Sequence, residues 1–150
     1  MYKLALVALM YAGGAVAQTV ATDPVTAVVE KLFVAMRTSD TAATRAAFVP
    51  AGRVIPIQAG AAVGAGLSID QFVAFVGRSQ SWIERIWSPS QRVSGPLADL
   101  WFEYDVYKGA IFDHCGVNAV QLQQTADGWK IVSMAFTSVT QGCASHPPPK

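Results

Sequence analysis

The chain is short of charge: 14% of its residues are Asp, Glu, Lys or Arg, and eleven basic residues face ten acidic ones. There is no basic run. A near-neutral chain has no field with which to hold a phosphate backbone, so nucleic-acid binding is not expected. Histidine and cysteine number two each, and their spacing fits no zinc pattern; no metal is expected. The glycines between Gly60 and Gly66 lack the strand-to-helix context and the lysine of a phosphate-cradling loop. No Gly-x-Ser-x-Gly elbow is present, which removes the serine hydrolases built on it. No cofactor is expected. No internal repeat and no linker divides the chain, and 150 residues are room for one domain.

At the N-terminus, Met1-Tyr2-Lys3 is a short positive start. Residues 4–11 form an apolar run, Ala12-Gly13-Gly14 follows, and Ala15-Val16-Ala17 carries small residues where a signal peptidase reads. This three-part pattern predicts a secretory signal over residues 1–17, cleaved before Gln18. The alternatives are an uncleaved anchor or a misassigned start. The apolar run is too short to span a bilayer stably. After cleavage the chain would lose Lys3, leaving ten charges of each sign. A secreted or periplasmic protein with no further membrane contact is expected. In an oxidising compartment Cys115 and Cys143 would pair across about 27 residues, adding on the order of 3 kcal/mol. The alternative is two free thiols, Cys115 being a small buried residue.

Asp23-Pro24 opens a helix, and Val25, Val28, Val29, Leu32, Phe33 and Met36 recur at helical spacing. Asp40 caps a short second helix through Ala47, ended by Pro50. Residues 53–57 read as a strand, placed at an edge by Pro56. Ser68 caps a third helix that buries Phe72, Val73 and Val76. From Trp82 onward strands dominate: 82–87, continued after Ser88-Pro89-Ser90 by 92–94; 97–107; 111–124; and 129–139. Gly95-Pro96, Gly109 and Ala126-Asp127-Gly128 mark the turns. Residues 144–150 read as a frayed proline tail, with His146 inert. Helices first and an antiparallel meander afterwards predict an α+β domain over residues 24–143. Apolar residues on both faces of the later strands predict a homodimer through the convex face.

The helix-helix-strand-helix start, Trp101-x-x-Tyr104, Gly109, His114-Cys115-Gly116-Val117 and Gly128-Trp129-Lys130-Ile131 together resemble the nuclear transport factor 2-like superfamily, and in it the SnoaL-like and lumazine-binding-like small members. The resemblance covers residues 24–143. It implies a cone: a curved antiparallel sheet wrapped around about three N-terminal helices, with a pocket open at one end. Such cones include cyclases, dehydratases, isomerases, ligand-binding modules and interaction domains, so function rests on the lining. Both cysteines fall inside matching motifs, which adds to the case for a bond. Asp often stands in that superfamily where this chain has Asn118, and Asn cannot act as a base.

A two-residue turn at Lys108-Gly109 or Gly109-Ala110 places His114 opposite Glu103 or Asp105, on one face with Gly116 and Asn118 and near Trp101. That face would hold an imidazole, a carboxylate, an amide and an indole, the equipment for moving a proton beside a flat apolar molecule. A three-residue turn reverses the parity and turns His114 toward Phe102 and Tyr104. The alternative to any site role is a structural His114, bonded to a backbone carbonyl or to Tyr104. The tryptophans at 82, 87, 101 and 129 read as core or interface rather than ligand stacking. Glu84 and Arg85, on opposite faces of one strand, read as surface or rim charges. Three functions compete: a small-molecule-binding cone for an apolar or aromatic ligand (Trp101, Glu103, Tyr104, Asn118), which ranks first; a cofactor-independent acid–base enzyme using His114 with Asp105 or Glu103; and a structural or interaction homodimer.

Overall fold

The computed structural model describes residues 23–78 and 82–149. The expected signal segment lies outside the described residues. Helix α1 spans Pro24–Arg37, with the Asp23 carboxylate accepting the Val25 N–H at 2.9 Å. Helix α2 spans Thr41–Ala46, where Asp40 accepts the Ala43 N–H. Strand β1, Phe48–Ile57, follows directly and starts before Pro50. After the two-residue β2, Leu67–Ser68, helix α3 covers Ile69–Val76. Its start is a capping box: Ser68 holds the Gln71 N–H while the Gln71 side chain accepts the Ser68 N–H.

The remaining strands are β3, Trp82–Ser94; β4, Leu97–Lys108; β5, Ile111–Thr125; and β6, Gly128–Thr137. Together with β1 and β2 they make one sheet in the order β2-β1-β6-β5-β4-β3. It is antiparallel except for the parallel pair of β1 and β6. Strand β1 is thus second from the edge, but β2 covers only Arg53 and Val54. Pro56 therefore sits on a stretch paired on one side alone, where a missing N–H is harmless. The break expected at Ser88-Pro89-Ser90 is a bulge in one continuous strand, with Ser88 at φ 48°.

The three helices fill the hollow of the bent sheet. Val29, Leu32 and Phe33 of α1 and Phe72 and Val76 of α3 meet Leu100, Phe102, Val120, Leu122 and Ile131 of the strands in one core. Phe33 packs edge-on against Phe102, and Phe48 against Phe72. Burying each such ring is worth about 1.5–3 kcal/mol. The C-terminal residues are not frayed: the His146 ring lies flat on the Trp87 indole, 3.8 Å away and 8° from parallel.

Candidate functional site

The hairpin between β4 and β5 decides which chemistry shares a face. Its turn is the two-residue Gly109-Ala110, so that Lys108 pairs with Ile111 and Tyr107 with Phe112. One step further the register slips: Val106 pairs with His114, leaving Asp113 as the extra residue of a bulge. The turn alone would have set His114 opposite Asp105. The bulge reverses the parity, and His114 shares the inner face with Tyr104, its ring edge-on to the phenol at 5.7 Å. Asp105 instead pairs with Cys115 on the outer face.

The bulge also supplies the carboxylate that His114 was expected to find on β4. Asp113 Oδ2 lies 2.7 Å from His114 Nδ1, and its other oxygen meets Lys108 Nζ at 2.6 Å. The Lys108 ammonium, followed by His114, holds the Asp113 carboxyl below its ordinary value. With Nδ1 tied to Asp113, the imidazole has a set orientation and one free nitrogen. The ring is largely buried, and Trp82 stands edge-on to it at 6.3 Å.

Glu84 is the residue the sequence reading placed at the rim. It pairs with Val106 across β3 and β4, so it shares the inner face of His114. Its carboxyl ends inside the cone, where Asn118 Nδ2 donates to Oε1 at 3.4 Å. Desolvation raises the Glu84 pKa from 4.5 to about 8; the Asn118 hydrogen bond opposes this, and the negative charge of Asp105 adds to it. Glu84 is therefore protonated, and a donor, over much of the neutral range. Asn118 is itself buried, at 1% exposure. The pattern that could have flagged Glu84 is its two-residue spacing from Trp82 and Ile86, which put it on the apolar face.

These groups line a cavity of about 210 Å³ whose walls include Phe72, Phe75, Trp82, Met134 and Phe136. Tyr104 lies across Gly116, and its hydroxyl donates to the Thr137 carbonyl at 2.6 Å. Burial, then the nearby Glu84 charge, pushes the Tyr104 pKa far up, so the phenol stays protonated. Among the described residues no group of three or more His, Cys, Asp or Glu is placed to hold a metal ion.

No protein-family model matches this sequence, and no curated protein matches it. Solved structures match in fold. An NTF2-like protein with a cystatin-like fold from Novosphingobium aromaticivorans superposes with a TM-score of 0.65 at 15% identity, covering 81% of this chain and 82% of the other. The chain has the NTF2-like fold. Similar cones are a Silicibacter pomeroyi NTF2-like protein of unknown function (TM-score 0.59, 22% identity, 77% and 93% covered) and a Streptomyces avermitilis NTF2-like protein provisionally named a dehydratase (TM-score 0.63, 18% identity, 77% and 94% covered). The resemblance read from the sequence is thus met by the fold.

On the outer face of the NTF2-like sheet the remaining expected site residues are found. Asp105 is held by Arg85 through two bonds, Nε to Oδ1 at 2.8 Å and Nη2 to Oδ2 at 2.6 Å. Trp101 is 56% exposed and Glu103 is exposed. Neither borders the inner cavity; of the expected set, His114, Tyr104 and Asn118 do. Cys115 and Cys143 form a disulfide, with Cα atoms 5.9 Å apart. A larger hollow of about 380 Å³ lies beside it, bordered by Glu103, Asp105 and His146. The inner cavity is the better candidate despite its size, because Glu84, His114 and Asn118 converge there among apolar walls, whereas Asp105 is already satisfied by Arg85.

Proposed function

We propose that this NTF2-like cone binds a small apolar or aromatic molecule in its inner cavity. The observation that carries the reading is that Glu84, Asn118 and His114 all line one aromatic-walled space of about 210 Å³, with Asn118 bonded to Glu84. A dry apolar cavity of roughly 150 Å³ accepts benzene. The space here suits one ring bearing a polar substituent. A protonated Glu84 would donate to a carbonyl or hydroxyl of that ligand, and Phe72, Phe75 and Trp82 would flank the ring.

A second reading, proton transfer, is favoured by the two titratable groups of the cavity. Glu84 keeps its proton to about pH 8, while Asp113 orients His114 as an acceptor. In that scheme His114 takes a proton and Glu84 gives or shares one, as in an isomerisation or dehydration. Asp105, committed to Arg85 on the other face, has no part in it. We also propose export and a homodimer. The Cys115–Cys143 bond supports an oxidising compartment. The exposed Leu97 and Trp101 on the outer face support self-association. No helix among the described residues is long and apolar enough to cross a membrane.

Native mass spectrometry of the chain, exported by its host and left unreduced, tests the binding reading. A co-purifying small molecule, lost on Glu84→Leu or Phe72→Trp substitution, is expected. A molecule retained equally by both variants, or no uptake from a panel of monocyclic aromatics, would overturn it.

A further inference from the structure

We propose that the edge of β3, from Trp87 and Arg85 on the outer face round to the hollow beside α1, is a binding site for a proline-rich peptide of a partner protein, filled in cis by this chain's own residues 146–149. After the disulfide at Cys143, the chain crosses the outer face and turns onto β3. The His146 ring stacks on Trp87. Arg85 Nη1 donates to the Pro147 carbonyl at 2.6 Å. Pro148 and Pro149 border one hollow together with Phe33 and Val34 of α1 and Ile83 and Ile86 of β3. An aromatic platform, a donor to a proline carbonyl and an apolar floor are the three parts by which extended proline segments are recognised.

The receptor side is ordered by the fold, not by the tail. Asp105 takes two of the guanidinium N–H groups of Arg85, leaving Nη1 for a carbonyl. Trp87 and Tyr107 sit 5.0 and 4.9 Å from the guanidinium carbon. A donor held this way loses little freedom on binding, and a proline segment loses little backbone entropy. The tail fills one end only: a hollow of about 550 Å³ remains beside Pro148 and Pro149. That space admits a peptide longer than the chain's own tail, and the tail then acts as a competitor at about millimolar effective concentration.

The test uses the full-length, unreduced chain and the synthetic peptide SHPPPPP as probe. A variant with residues 146–149 all changed to Gly keeps the disulfide and opens the site. Its Trp87 indole N–H resonance is expected to shift saturably with peptide. The unaltered chain is expected to bind about ten-fold more weakly, because its tail competes, and its His146 ring protons should move from stacked toward free-chain positions as peptide is added. Trp87→Ala in the open variant should abolish binding. Arg85→Lys, which keeps the charge but loses the fork, should weaken it several-fold. No saturable shift in the open variant overturns the proposal, as does equal binding by the Trp87→Ala and Arg85→Lys forms. Peptide binding that leaves His146 stacked places the peptide elsewhere and also overturns it. Tail exchange between copies, seen as intermolecular contacts in the unaltered chain, would make a second copy the occupant and overturn the partner assignment.

Discussion

Asn118 on β5 reaches past the intervening strand β4 to hold the carboxyl of Glu84 on β3, Nδ2 to Oε1 at 3.4 Å. That contact joins two polar groups of the inner cavity. Desolvation of the Glu84 carboxyl, which this bond only partly offsets, makes the stability of the fold sensitive to pH.

Glu84 keeps its proton in the folded chain to about pH 8 and loses it near 4.5 when unfolded. Between those values the native state binds more protons, so stability falls as pH rises through the window and levels off above it. Glu84→Gln removes that proton linkage. The melting temperature of Glu84→Gln minus that of the unaltered chain should therefore grow from pH 5 to pH 8.5. A difference that is flat or shrinks over that range would show the Glu84 carboxyl to be solvated.

Gly116 on β5 lies against Tyr104 of β4 and Thr137 of β6. A Cβ there would stand against the Thr137 carbonyl oxygen and 2.8 Å from the Tyr104 ring. Backbone cannot yield as a side chain can, so Gly116→Ala must part β5 from β6 or break the Tyr104–Thr137 hydrogen bond. A loss on the order of 2–4 kcal/mol is expected in denaturant unfolding. A change under about 0.5 kcal/mol would mean the strands are not this close.

The Cys115–Cys143 bond closes a loop with a sequence separation of 28. Replacing both cysteines by Ser should cost on the order of 3 kcal/mol, measured by urea unfolding under oxidising conditions. The same variant should also loosen residues 144–149, read as faster hydrogen exchange at Ala144 and Ser145. An unchanged midpoint would mean the C-terminal segment is held by the Trp87 and Arg85 contacts alone.

Asp113 and His114 separate binding from proton transfer. If the cavity moves protons, His114→Ala should abolish turnover of a found substrate while shifting the melting temperature by only a few degrees. Asp113→Asn should lower kcat more than it raises KM, because the imidazole loses its orienting partner. If the cavity only binds, both variants should retain ligand within about ten-fold. Full turnover by His114→Ala would end the acid–base reading.

Much of this protein was legible along the chain because its signals are local. Asp23, Asp40 and Ser68 each bond an N–H two or three residues on, so the helix starts could be placed before any packing was known. Gly95 and Gly109 take left-handed conformations in their turns, as such residues do. Apolar periodicity and element order then led to helices on one face of a curved sheet, and the family resemblance led to the cone. His114, Tyr104 and Asn118 were picked out as site residues by their chemistry and their alternation.

Only the tertiary structure decided their company. One residue, Asp113, bulges out of β5, and with a side-chain period of two that single residue turns every later position on the strand to the other face. It moved His114 away from Asp105, gave it Asp113, and left Asp105 to Arg85. Glu84 became the desolvated acid because helix and strand residues close the inner face around it, among them Phe72 and Met134, remote in the chain. The seating of the proline tail on Trp87 and Arg85 likewise joins segments remote in the chain, beyond a disulfide that ties Cys143 to β5. Composition, caps and turns are set by neighbours along the chain. Register and burial are set by contacts between distant segments, and those contacts determine which charges meet.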